Sequence, residues 1–120
     1  MIKPHGADAL DARYVSDEAE RQALLSEAEF LPSMLLNSAA AANAVMLGAG
    51  YFTPLKGFMN LADAMSVATD MQTTSGLFWP VPIVNMTDDV SGLDVNRRIA
   101  PRAPNIARHP TLAVLALASL

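Results

Sequence analysis

Two histidines, a run of C-terminal arginines, one aspartate pair and one Gly-Ala-Gly are the residues here whose types could do chemistry. His5 and His109 could ligate a metal or move a proton, but they stand far apart with no ligand constellation around them, so surface or loop placement is expected. Asp88 and Asp89 are adjacent and so point in different directions, whereas paired-carboxylate catalysis needs groups converging from separate elements. A solvated turn accounts for them. Gly48-Ala49-Gly50 lacks the Lys-Ser/Thr ending of one phosphate-binding loop and the strand and helix context of the other, and reads as a helix stop. Arg97-Arg98 could meet an anion, but on a short strand a twin arginine is expected as a surface or intramolecular salt-bridge pair. No catalytic, cofactor-binding or metal-ligating residue is expected.

The elements that would carry such groups belong to one domain of 120 residues, just over half of them apolar. With no cysteine in the sequence, disulfides, thiolate zinc and a cysteine nucleophile are excluded. The net charge of −4 is divided: seven acids from Asp8 to Glu29 crowd the first quarter, and no acid follows Arg97. Overall acidity without a basic, aromatic stripe argues against nucleic acid as a partner. Residues 30–55 are uncharged but interrupted by Pro32, Asn37, Asn43, Gly48 and Pro54, so no membrane span is expected. The opening residues lack the apolar stretch of a signal peptide, and a cytoplasmic location is the expectation.

Along the chain, residues 17–29 are predicted helical behind Ser16, with Leu24, Leu25 and Ala28 on one face. Pro32 ends that helix and Met34-Leu35-Leu36 reads as a strand. Alanine-rich 39–47 predicts a second helix capped by Ser38 and ended by Gly48 or Gly50 in the left-handed conformation. Thr53 to Gly57 reads as a turn, with Gly57 free to take a positive φ. Asn60 caps a third helix whose Leu61, Ala64, Met65 and Ala68 read as core. Residues 77–85, with Pro80 and Pro82 two apart, predict an edge or bulged strand. Residues 88–94 are a polar connector, 97–100 a short strand, and 111–120 a last apolar strand whose unprotected edge would promote association. Met34, Met46, Met59, Met65 and Met71 read as core filler. Helices first and strands later predict an α+β domain.

Several segments carry a resemblance. Gly50-Tyr51-Phe52-Thr53-Pro54-Leu55-Lys56-Gly57-Phe58-Met59-Asn60 resembles a signature of the ATP sulfurylase (sulfate adenylyltransferase) family, and Gly76-Leu77-Phe78-Trp79-Pro80-Val81-Pro82-Ile83 resembles the Pro-x-Pro-Ile strand that follows it there. Ile2-Lys3-Pro4-His5-Gly6, Leu31-Pro32-Ser33-Met34 and Arg98-Ile99-Ala100 are similar to the family's opening segment and two of its strands. The resemblance implies a PUA-like β-barrel with flanking helices over residues 1–120, C-terminally truncated, with a divergent tail at 101–120 where Pro101 and Ala116 depart from the pattern. It also implies a role beside a catalytic domain that is absent here and that converts ATP and sulfate to adenosine 5′-phosphosulfate and pyrophosphate with Mg²⁺. The family's Gln-x-Arg-Asn-Pro segment, histidine pair and Gly-Arg-Asp-His-like loop do not occur in the sequence. The expected function is therefore structural, packing on that catalytic domain in a homo-oligomer. A free-standing RNA-binding PUA-like module and an independent small enzyme are the competing readings.

Overall fold

Asp17, Asn37 and Asn60 each sit just before an apolar helical repeat, and each accepts a hydrogen bond from the backbone N–H three residues on, at 2.8 Å. These caps start α1 (Glu18–Ala28), α2 (Ser38–Ala49) and α3 (Leu61–Asp70) of a computed structural model that describes residues 2–117. The caps of α1 and α2 are thus Asp17 and Asn37, each one residue from the expected serine. Three strands complete the described elements: β1 (Ser33–Leu35), β2 (Arg98–Arg102) and β3 (Leu115–Ala116). The sheet order is β1-β2-β3, with β1 parallel and β3 antiparallel to β2, so that among the described residues β1 and β3 are its outer strands. Helices and sheet together make the expected α+β domain.

Met34, Leu36, Ala40, Leu93 and Ile99 form the core, and Phe58, Leu115 and Leu117 pack against it. Leu93 comes from the stretch expected to be a polar connector. Of the five methionines read as filler only Met34 is buried; Met46, Met65 and Met71 are exposed and Met59 is half-buried. The core face of α3 also differs from expectation. Leu61 and Met65 are exposed, and Val67 is the residue that is buried. Polar bonds set this rotation: Asp63 Oδ1 accepts from the N–H and hydroxyl of Thr74 at 2.9 and 2.7 Å, and Ser66 Oγ donates to Gln72 O at 2.6 Å. They turn the Asp63–Val67 line inward, toward residues 72–78.

Residues 77–85 do not form the expected strand. They contribute one isolated bridge, Gln72 to Phe78, together with Trp79 N donating to Met71 O and Met59 N donating to Ile83 O. Pro80 and Pro82 lack the donors a ladder requires. The predicted strand 111–120 is likewise reduced to Leu115–Ala116 and a bridge from Thr111 to Arg102, with 118–120 outside the described residues. Its pairing with β2 slips by one residue between these contacts, as at a bulge. Pro101 stands opposite that break. Ala100 N reaches Pro32 O on the β1 side, so alternation would aim an N–H at position 101 toward the gap in the β3 ladder. A proline is therefore tolerated in a central strand.

Candidate functional site: a motif that clamps the chain start and a groove beside it

Gly50 ends α2 with φ +83°, its N–H reaching Leu47 O and Met46 O, and Tyr51 N donates to Met46 O. This is the glycine-terminated helix end that an L-residue would strain. It is also a point of close approach, because a Cβ on Gly50 would lie 3.1 Å from the backbone of Asp11 and Ala12. Gly57, read as free to take a positive φ, does not take one, whereas Gly50, one of the two glycines expected to end α2 in the left-handed conformation, does.

Thr53 is buried, and its hydroxyl donates to Gly50 O at 2.6 Å while accepting from Asp11 N at 3.0 Å. The Thr53–Pro54 peptide is cis. Arg13 and Tyr14 donate their N–H groups to Gly48 O, so residues 11–14 are held on the end of α2 by these backbone bonds and by the bond from Asp11 N to Thr53. The ring of Phe52 meets that of Trp79 edge-on at 6.0 Å. His5 donates through Nε2 to Phe78 O at 2.8 Å, with its ring edge-on to Phe78. In this way residues 2–6, 50–60 and 76–83 meet around one corner, while Pro32–Met34 and Arg98–Ala100 meet in the sheet.

The residues weighed for chemistry are not brought together. His109 Nδ1 donates to Ala103 O at 2.9 Å, on the far side of β2 from His5 in sequence and with a structural partner of its own. Arg97 pairs with Asp94 at 3.6 Å and Arg98 with Glu27, as the salt-bridge reading expects. Asp89 is exposed, and the hydrogen bonds it accepts from the side chain and backbone of Ser91 hold its carboxyl below the usual range. Among the described residues no three His, Cys, Asp or Glu side chains come together in a group that could hold a metal.

What the sequence did not reveal is a groove of about 1040 Å³ bounded by α1, the end of α2, residues 56–60 and residues 111–117. Arg13, Arg21, Lys56 and Arg98 line it together with apolar side chains, and no acidic residue does. Three of these cations have a carboxylate partner outside the lining: Arg13 with Asp11, Arg21 with Glu18 and Arg98 with Glu27. Glu18 is fully exposed, and hydrogen bonds from Gln22 and then Arg21 lower its pKa. These cations come from positions scattered between 13 and 98, so no run or spacing announces them.

Residues 2–119 match the family described as PUA-like domain. The chain belongs to this family. The PUA-like domain is 56% identical over its whole length to a sulfate adenylyltransferase of Alcanivorax borkumensis, covering 30% of that protein. It is 52% identical over 115 residues to the sulfate adenylyltransferase of Allochromatium vinosum, covering 29% of it. It thus corresponds to the N-terminal region of sulfate adenylyltransferases and spans less than a third of their length. Among solved structures it is similar to the hexameric APS kinase from Thiobacillus denitrificans, with a TM-score of 0.82 and 32% identity over 99% of this chain and 23% of that one. Among the described residues no helix is long and apolar enough to cross a membrane.

Proposed function

We propose that this PUA-like domain is a structural and assembly domain of a sulfate adenylyltransferase, packing on a catalytic region that joins ATP to sulfate, releases pyrophosphate and itself binds the ATP and Mg²⁺. The observation that carries this is the 56% identity along the whole chain to under a third of such an enzyme. The contacts agree with it. The segments that resemble the family are the ones that hold one another in place, so their residue types are accounted for by packing and backbone bonding without a reaction. Closure of the three-stranded sheet into a PUA-like barrel belongs to the same proposal, since among the described residues β1 and β3 are the outer strands to which further strands would add. So does homo-oligomerisation, for which the hexameric structural neighbour is the support, and so does a cytoplasmic location.

The purified chain is expected to release no pyrophosphate from ATP and sulfate in the presence of Mg²⁺. Coupled pyrophosphate detection checks this, and turnover above a no-enzyme control that survives repurification would refute the structural role. RNA binding is expected to be weaker than micromolar at physiological salt, because the chain is acidic overall, with a net charge of −4, and phosphate contacts need concentrated Lys and Arg. Fluorescence anisotropy with a labelled RNA hairpin measures it, and tight, salt-resistant binding would point to a free-standing RNA module.

A further inference from the structure

Because β1 and β2 pair in parallel, both start at one end of the sheet and finish at the other, and the two ends differ in charge. At the starting end Arg98 pairs with Glu27 and Arg97 with Asp94. Glu29 is left over, exposed and without an ion pair among the described residues. It closes α1, whose last turn carries no basic residue, so the negative end of that helix adds to its charge. Phe30, beside it, is 88% exposed.

At the finishing end, residues 103–110 fold over the end of β2. Ala103 N donates to Pro110 O and His109 Nδ1 to Ala103 O, both at 2.9 Å, and Asn105 Nδ2 reaches Ser38 Oγ at 2.8 Å, which sets this loop beside the start of α2. Arg102 and Arg108 stand here without an ion pair among the described residues. Asp88, which shares a hollow with Leu35 and Asn37, offsets one of them. The first turn of α2 carries no acid, so its positive end stays uncompensated. Ile106, in the loop, is 56% exposed.

Each end thus joins one excess charge, a helix terminus of the same sign and an exposed apolar side chain. The two ends complement each other, and neither complements itself. A two-fold contact through either end would set like charges together, whereas a head-to-tail contact sets opposite ones together. We infer that a second copy of this chain docks head to tail, with Glu29 and Phe30 of one protomer meeting Arg108 and Ile106 of the next. The inference rests on the homo-oligomer reading above and names the faces that meet. Burial of the apolar pair supplies affinity and the charges set the orientation, because exposed ion pairs contribute little alone.

Sedimentation of the whole chain from micromolar to millimolar concentration tests this for the wild type, Arg108→Glu, Glu29→Arg, Phe30→Ser and Lys3→Glu, with circular dichroism as the folding control. Lys3 pairs with Asp8 in the chain start and serves as the reference. The wild type is expected to self-associate, less so in high salt, and each of the two charge reversals to associate about fivefold or more weakly. An equimolar mixture of these two variants is expected to regain wild-type association, because the reversed end of one then faces the reversed end of the other. Phe30→Ser should weaken association at every salt concentration, and Lys3→Glu should match the wild type. Association unchanged in every variant overturns the assigned faces and leaves the homo-oligomer reading standing. Losses that mixing does not recover overturn the head-to-tail geometry. A wild type that stays monomeric throughout overturns the inference and takes this domain out of the assembly contact. Should Arg108→Glu disturb the loop, Arg108→Gly, which suits the φ of +66° there, removes the charge instead and is expected to weaken association as well.

Discussion

Leu36→Ala is expected to lower the free energy of unfolding by about 2–5 kcal/mol, the range for truncating a buried leucine. Leu36 is 1% exposed and sits in the core cluster with Met34, Ala40, Leu93 and Ile99. Its N–H donates to Arg102 O at 3.0 Å, so the backbone at this point is tied to the end of β2 and cannot shift far to fill the space. Part of the cost is the lost transfer energy and part the cavity that remains. Against total stabilities of about 5–15 kcal/mol for single domains, this is a large fraction. Urea unfolding followed by circular dichroism measures it as a lower midpoint at unchanged slope. A loss under about 1 kcal/mol would mean that α2 and the sheet close over the gap, and that this cluster is not the central support of the domain.

The second large effect is expected at Gly50, where alanine should cost about 2–5 kcal/mol. A left-handed backbone accounts for about 1–2 kcal/mol in an L-residue, and a Cβ placed 3.1 Å from the Asp11–Ala12 backbone adds an overpacking cost of about 1–3 kcal/mol. The neighbouring glycine supplies the control. Gly48 lies inside α2 with an ordinary negative φ, and a Cβ there meets nothing within 4 Å. Gly48→Ala is expected to stabilise by about 0.5–1 kcal/mol, because alanine loses less backbone freedom in a helix. Thermal and urea unfolding of the two variants should therefore move in opposite directions. Shifts of the same sign would show that the end of α2 does not fix residues 11–14.

Much of this architecture was legible because it is local. Helix starts follow from a polar cap and a repeat of apolar residues, and α1, α2 and α3 lie where those signals fall, within a residue or two. The helix stop at Gly48-Ala49-Gly50 was legible for the same reason, although which glycine takes the positive φ was settled by contact with Asp11 and Ala12. Partner choice was not legible. The face of α3 that is buried depends on Asp63 finding Thr74, and no periodicity encodes that bond. The segment 77–85 has strand-like composition, but its prolines and its bonds to Met59 and Met71 keep it outside the sheet. The motifs recognised by resemblance marked what is held in place, whereas the groove is assembled from residues with no mutual spacing. Its four cations become neighbours only when residues 13, 21, 56 and 98 are folded together.

The parallel pairing of Ser33 with Ala100 also fixes when this domain can form during its own synthesis. Sixty-odd residues separate the two strands, and Ile99, which seals Met34, Leu36 and Ala40, lies in the later one. While the nascent chain is shorter than β2, the helices can turn but their apolar faces have no sheet to rest on. Loop closure over that distance must precede the contacts that reward it. The domain therefore stays open until residues 98–102 have left the ribosome. Until then Met34 and Leu36 are available to chaperones, and a ribosome stalled before residue 98 would display them for as long as it is stalled.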